Sequence, residues 1–274
     1  MPLDAIRTYC KALRLPTIAG AVEDTLTSAQ REDWPLETFL QHLLEQEMEG
    51  RRERRITRLL KAAHLPLGKT LETFDQQRLP LHVRRQVPQL CGGDFIARAE
   101  NILIFGLPGT GKTHLAAALG YEWAQRSYSV LFTPTFKLVG RLLRARRDYE
   151  LEPELRRLDS FQIIILDDLG YVQQGREEME VLFTFLAERY ERRSVVITSN
   201  LVFSEWNQIF KDPLTTAAAI DRVVHHSLII KFGREMKSVR AEEAARRNRI
   251  RGGRSDAPQD AETPHPGMGK SSCR

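Results

Sequence analysis

Residues 106 to 113 read Gly-Leu-Pro-Gly-Thr-Gly-Lys-Thr, directly after the apolar run NILIF (101 to 105) and directly before a helical stretch that starts near Lys112. No other feature of the chain narrows its fold so far, because a G-x-x-x-x-G-K-T octet does its chemistry only at the turn from a strand into a helix. The glycines let successive backbone N–H groups wrap phosphate oxygens, and the N-terminus of the following helix favours negative charge. Lys112 is spaced to reach the β and γ phosphates, and Thr113 to offer its hydroxyl to magnesium. The predicted nucleotide-binding residues are therefore Gly106, Pro108, Gly109, Thr110, Gly111, Lys112, Thr113 and His114, with ATP and Mg2+ as the expected ligands. Gly68-Lys69-Thr70 repeats the end of the pattern, but the position of its first glycine holds Ala63, so it is a decoy.

The remainder of the chain fits that frame. SVLFT (129 to 133), QIIIL (162 to 166), SVVIT (194 to 198) and SLIIK (227 to 231) are further unbroken apolar runs, which implies burial on both faces. Five such strands alternating with helix-length stretches specify a parallel α/β sheet between helices. From Leu3 to about Ala63 the apolar residues recur at three and four, as in Phe39, Leu43, Leu44 and Met48, which predicts an all-α N-terminal domain. Asp33 and Pro35 mark the start of its last helix. Boundaries are expected at 1 to 68 for this domain, 69 to 245 for the nucleotide-binding domain, and 246 to 274 for a disordered tail.

The 274 residues hold 41 Lys and Arg against 36 Asp and Glu, a net charge of +5 that points to an anionic partner only where the positive charge clusters. Two clusters exist. One is the run Arg51, Arg52, Arg54, Arg55, Arg58 and Lys61, which reads equally as a solvated helix face or as a contact for DNA or a partner. The other is FKLVGRLLRARRD, in which Lys137, Arg141 and Arg144 share one helical face while Leu138, Leu142 and Leu143 lie toward the core, with Arg146 and Arg147 following and no acid before Asp148. Such a stripe suits sequence-independent phosphate binding, and a solvated face is the alternative. Cys10, Cys91 and Cys273 are too scattered for a zinc site or a disulfide framework and predict a reducing compartment. No apolar run approaches the ~18 residues of a membrane span.

Ile163 to Asp168 is a buried strand ending in two acids, at the end of a parallel sheet where α/β folds bind ligands. Asp167 is expected to hold magnesium and Asp168 to orient or deprotonate the attacking water; a mere helix cap is the competing reading. Asp168 is one C–C bond shorter than a glutamate, which sets its carboxylate about 1.5 Å back and predicts slow hydrolysis. Asn200, at the tip of SVVITSN, is placed to touch both the γ-phosphate and the water. His225 and His226 are neighbours that point in different directions with no third ligand near, so they are read as structural.

The octet, DDLG (167 to 170), TSN (198 to 200) and Asp221-Arg222 succeed one another in the order of AAA+ ATPases. The segments LRLPTIAGAVEDTL, KTLETFD, GLPGTGKTHLAAALG, LDDLGYV, LAERYERRSVVITSN, FSEWNQIFKDP and AAAIDRVVHHSLIIK resemble the IstB-type transposition helper ATPases, relatives of the DnaC helicase loader, over about residues 3 to 240. The resemblance implies a bacterial, cytoplasmic, DNA-associated ATPase of a mobile element. It would assemble as an ATP-dependent homo-oligomer on double-stranded DNA, remodel it, and recruit and stimulate a cognate transposase. It further implies that Arg222 is an arginine finger acting on the neighbouring subunit's site, and that Arg240, in an S-V-R where the family has S-Y-R, is a second sensor. Only 43 residues follow Lys231 (274 minus 231), too few for a full helical lid. A helicase-loading adaptor and a DNA-bending architectural protein are the alternatives: preference for duplex over single strands argues against the first, and DNA-stimulated phosphate release against the second.

Overall fold

The computed structural model describes residues 2 to 170, 175 to 201 and 223 to 233. Five parallel strands, β1 (Asn101–Phe105), β2 (Val130–Pro134), β3 (Ile163–Leu169), β4 (Ser194–Ser199) and β5 (Ser227–Lys231), form one sheet in the order β2-β3-β4-β1-β5. Successive side chains of a strand point to opposite faces. Ile102, Ile104, Ile163, Ile165 and Val196 accordingly enter one apolar core, and Leu103, Phe105, Ile164, Leu166, Val195 and Ile197 the other. The first core is covered by α4 (Leu81–Gly92), the short α5 (Asp94–Ala97) and α6 (Lys112–Gln125). The second is covered by α7 (Thr135–Arg147), α8 (Leu151–Asp159) and α9 (Arg176–Arg189). This is the expected α/β sandwich. Several strand limits differ: β2 and β3 each begin one residue later than the apolar runs, β2 and β4 each end one residue later, and β3 continues through both acids to Leu169.

The N-terminal region is helical as expected, in three pieces: α1 (Pro2–Ala12), α2 (Pro16–Arg31) and α3 (Leu36–Ala62). Cys10, Ile18, Val22 and Leu43 make a small core of their own. Helix α2 starts with no capping side chain of its own, and Pro16 at its first turn offers no N–H. The missing acceptor comes from α3: Glu47 Oε2 accepts the backbone N–H groups of Thr17 (2.8 Å) and Ile18 (3.2 Å). Its Oε1 accepts from Arg51 Nε (3.0 Å) and Arg54 Nη2 (3.1 Å). Burial pushes the Glu47 carboxyl up, but Arg51 and the two N–H donors outweigh it and hold the group below its ordinary value. A Cβ on Gly50 would collide with Thr17, so the close approach of the two helices requires glycine there. Two members of the basic run, Arg51 and Arg54, are thus occupied in building this module.

Helix α3 then leaves that core and enters the next. Leu60 packs against the first sheet core, Ala63 and Leu65 belong to it, and the Ala63 carbonyl accepts the N–H of Phe132 in edge strand β2 at 2.7 Å. At the opposite end of the sheet from the octet, His226 Nε2 lies 3.2 Å from Glu191 Oε1 and its ring meets His225 edge-on. No cluster of three or more His, Cys, Asp or Glu side chains able to hold a metal by themselves exists among the described residues, and no helix among them is long and apolar enough to cross a membrane.

Candidate nucleotide site

The phosphate loop is shaped by two glycines in the left-handed region, Gly109 (φ 81°) and Gly111 (φ 102°), the second forming the N-cap of α6. Its first residue is tied to the sheet by the Gly106 N–H, which donates to Ser199 O at 3.3 Å. A Cβ on Gly106 would clash with Phe232, and one on Gly111 would press on the Phe74 ring. Lys112 is buried, and its ammonium donates to the Leu107 carbonyl at 3.0 Å, which holds it over the loop. Thr110 Oγ1 donates to the same carbonyl at 2.8 Å. A strap, residues 68 to 75, lies across the start of α6. Phe74 meets His114 edge-on at 5.0 Å, and His114 Nε2 lies 3.1 Å from Thr73 Oγ1 and 3.2 Å from Thr70 O. Burial holds the His114 imidazole below its ordinary value against the opposing effect of the Thr70 carbonyl, so the ring is neutral at neutral pH.

Sheet order determines what faces the loop. Strand β4 lies between β1 and β3, so the strand ends present the phosphate loop, then Thr198-Ser199-Asn200, then Asp167-Asp168. At about 4.8 Å per strand the acids stand about 10 Å from the loop, room for a phosphate and its ion between them. The register between β3 and β4 slips between Leu166 and Leu169, and Asp168 takes a left-handed conformation (φ 65°), rare for a residue with a Cβ. That slip is why the strand runs on past the acids: the backbone bulges at Asp168 and re-pairs at Leu169 with Ser199. Asp167 is half-buried and Asp168 exposed.

One hydroxyl fixes both. Thr198 Oγ1 donates to Asp167 Oδ1 at 2.7 Å and accepts the backbone N–H of Asp168 at 2.9 Å. Ser199 Oγ donates to the Leu169 carbonyl at 2.7 Å, closing the far side of the bulge. The side-chain oxygen of Asn200 is buried without a hydrogen-bond partner among the described residues. Sequence reasoning selects the amide of Asn200 from this segment and passes over Thr198; the signal for it is a hydroxyl at the end of an otherwise apolar strand beside an acidic one. Orphaned acceptor, glycine cradle and hydroxyl-carboxylate donor set together fit a nucleotide triphosphate and a hard divalent ion. Arg222 and Arg240, with Asp221, lie outside the described residues.

The basic stripe on α7 is altered by its neighbours. Leu138 and Leu142 are buried and Leu143 partly so, as the spacing predicts. The stripe has no competing acid in its own helix, but Arg141 is paired with Glu154 of α8, and Arg146 Nη1 with Glu180 of α9 at 2.9 Å. Among the described residues Lys137, Arg144 and Arg147 have no carboxylate partner. Arg144 makes one long bond, from Nε to the Gly140 carbonyl at 3.3 Å.

Comparison with known proteins agrees with this architecture. The profile of the family described as IstB-like ATP binding protein matches residues 8–245. An insertion-sequence ATP-binding protein of Sinorhizobium fredii is 46% identical over 240 residues, covering 87% of this chain and 80% of its own length. One from Pseudomonas aeruginosa is 38% identical, covering 80% and 83%, and one from Geobacillus stearothermophilus 36%, covering 86% and 94%. Among solved structures, replication initiator DnaA bound to AMPPCP and single-stranded DNA superposes with a TM-score of 0.52 at 18% identity, covering 68% of this chain and 57% of that one. DnaI gives 0.50 at 20%, covering 62% and 92%. These likenesses show the fold, that of AAA+ P-loop ATPases.

Proposed function

This chain belongs to the IstB-like ATP binding protein family, which makes it an ATP-binding protein of an insertion sequence, and from that premise we propose that it hydrolyses ATP while assembled on double-stranded target DNA, and that it remodels this DNA and recruits its transposase. The observation that carries the hydrolytic part is the Thr198 bridge between Asp167 and Asp168, beside the phosphate loop in the same sheet. Two carboxylates held in different settings suit two jobs. Asp167, oriented by the hydroxyl, and Thr113 are the oxygen donors for Mg2+. When bound, the ion neutralises charge on the β and γ phosphates. Asp168, held outward by the bulge, accepts a proton from or orients the attacking water, with Asn200 as a second acceptor. Lys112 contacts the transferred phosphoryl group.

Support for the oligomeric and DNA parts is of another kind. The family's arginine finger corresponds to Arg222, supplied to a neighbouring copy's site. Lys137, Arg144 and Arg147 supply cations with no carboxylate partner among the described residues for phosphates, and Arg141 and Arg146 would have to leave Glu154 and Glu180 to join them. The setting is the bacterial cytoplasm.

Phosphate release measured with and without duplex DNA tests the reading. Duplex should stimulate turnover and bind more tightly than single strands of equal length. Binding without any stimulated hydrolysis would leave an architectural protein, and preference for single strands would favour a helicase-loading role. Mixing Arg222→Ala with Lys112→Ala should partly restore turnover at interfaces that pair an intact pocket with an intact finger; failure to do so in verified co-assemblies overturns the action in trans.

A further inference from the structure

Helix α7 carries an exposed aromatic on the face that holds its cations without a carboxylate partner among the described residues. At about 100° per residue, Phe136, Lys137, Gly140, Arg144 and Arg147 fall within about one quarter of the helix circumference. The opposite side holds the buried Thr135, Leu138, Val139 and Leu142. Phe136 is 64% exposed although it lies in the first turn of a helix whose other large apolar residues are buried or half-buried. Burying such a ring is worth about 2 kcal/mol in a protein core, and here the fold leaves it in solvent. Space around it is open: a Cβ on Gly140, one turn along the same face, would meet nothing within 4 Å. The ring therefore borders a shallow stretch of bare helix backbone flanked by three cations.

The other exposed aromatics among the described residues are differently surrounded. Tyr149 is 96% exposed but is flanked in sequence by Asp148 and Glu150, which repel phosphates; Tyr9 belongs to α1 of the N-terminal module. Phe136 is held rigidly at its root. Thr135 beside it is buried and donates to the Asp167 carbonyl at 3.0 Å, so the first turn of α7 is fastened to the strand that carries the two acids.

Resting on the reading that α7 faces duplex DNA, we propose that Phe136 is a wedge that enters between adjacent base pairs, with Lys137, Arg144 and Arg147 holding the phosphates around it. An apolar side chain pressed into a base step unstacks it and kinks the helix axis, which lowers the energy of bending. The cations supply affinity without sequence preference, and the ring converts that affinity into deformation. Because Thr135 ties the wedge to Asp167, insertion is mechanically joined to the hydrolytic site.

The test uses the full chain with a non-hydrolysable ATP analogue and a duplex carrying 2-aminopurine, whose fluorescence rises on unstacking. Wild type should raise the fluorescence; Phe136→Ala should abolish the rise and weaken duplex binding about tenfold, with the slope of log affinity against log salt unchanged, whereas Phe136→Leu should retain part of both. The triple variant Lys137→Ala, Arg144→Ala, Arg147→Ala should instead flatten the slope by up to about 3, close to one for each phosphate no longer neutralised. A flattened slope in the triple variant with no effect of Phe136→Ala overturns the wedge and leaves the DNA face standing. An unchanged slope in the triple variant overturns both. Loss of binding by Phe136→Ala on single strands but not on duplex also overturns the wedge, in favour of a stacking platform. Nucleotide affinity without DNA, measured in parallel, should be the same in all variants.

Discussion

Thr198 stands between the two acids as donor to one and acceptor from the other: its hydroxyl gives its proton to Asp167 Oδ1 at 2.7 Å and takes the Asp168 N–H at 2.9 Å. A single hydroxyl thereby sets the orientation of one carboxylate and stabilises the left-handed backbone that presents the other. Thr198→Val keeps the shape and removes both bonds. We expect turnover to fall by about tenfold or more, in line with the loss of one positioning hydrogen bond at a reacting centre, while nucleotide affinity without metal stays nearly constant. Thr198→Ser should recover most of the rate. Equal turnover in wild type and Thr198→Val would show that the bridge has no part in hydrolysis.

The two acids and the lysine should separate by assay. Lys112→Ala removes the ammonium fixed over the phosphate loop and should abolish hydrolysis and ATP-dependent assembly together. Asp168→Asn leaves the Thr198-held Asp167 untouched, so ATP should still bind while turnover drops. Nucleotide titration and phosphate release on the same preparations decide the matter; parallel loss of both in Asp168→Asn contradicts the division.

In the N-terminal module Glu47→Ala strips the cap from α2 and leaves Arg51 and Arg54 without their shared acceptor. Hydrogen bonds to a charged group contribute about 1.5–3 kcal/mol each, and a loss of about 3 kcal/mol is expected in this module. Hydrogen exchange of the Thr17 and Ile18 amides should accelerate accordingly, with the amides of α6 unaffected. Protection at Thr17 and Ile18 equal to wild type would mean that the cap contributes nothing.

Two windows of pH sensitivity follow from the directions of two shifts. His114 has a folded pKa below its ordinary 6.5, so the unfolded chain binds the extra proton first; its contribution is complete above about 6.5 and is lost as pH falls from there toward the folded value. Glu47 is also depressed, from an ordinary 4.5, and its contribution is lost only as pH falls below that value toward its folded one. Melting temperature measured from about pH 8 down to about pH 3 should therefore decline in two steps. His114→Gln should erase the upper step and Glu47→Gln should shrink the lower, which Glu32, Glu100 and Glu180, held low by arginine partners, share; a first step that survives His114→Gln would remove the histidine from the account.

Much of the candidate site is legible in the sequence because its signals are local. The octet states its own strand–turn–helix context, and apolar runs with acids or an amide at their ends announce a ligand-binding edge. Relations carried by non-local pairing are not legible in the same way. The order β2-β3-β4-β1-β5 places Thr198 beside Asp167 across 31 residues of sequence, and nothing in either segment alone specifies that neighbour. Charge on α7 is overstated by its own sequence for the same reason: the acids that engage Arg141 and Arg146 arrive from α8 and α9. In the run at Arg51, likewise, two guanidinium groups serve the carboxylate that caps another helix, a duty that only the packing of α2 on α3 reveals.

Helix α3 is 27 residues long, about 40 Å of stiff rod. One end is embedded in the N-terminal core through Leu43, and the other runs into Ala63, which is hydrogen-bonded to Phe132, four residues ahead of Phe136. One helix is thus seated in both cores, with its C-terminal end against strand β2. Anything that held the N-terminal module would therefore hold an element that also touches the strand feeding α7.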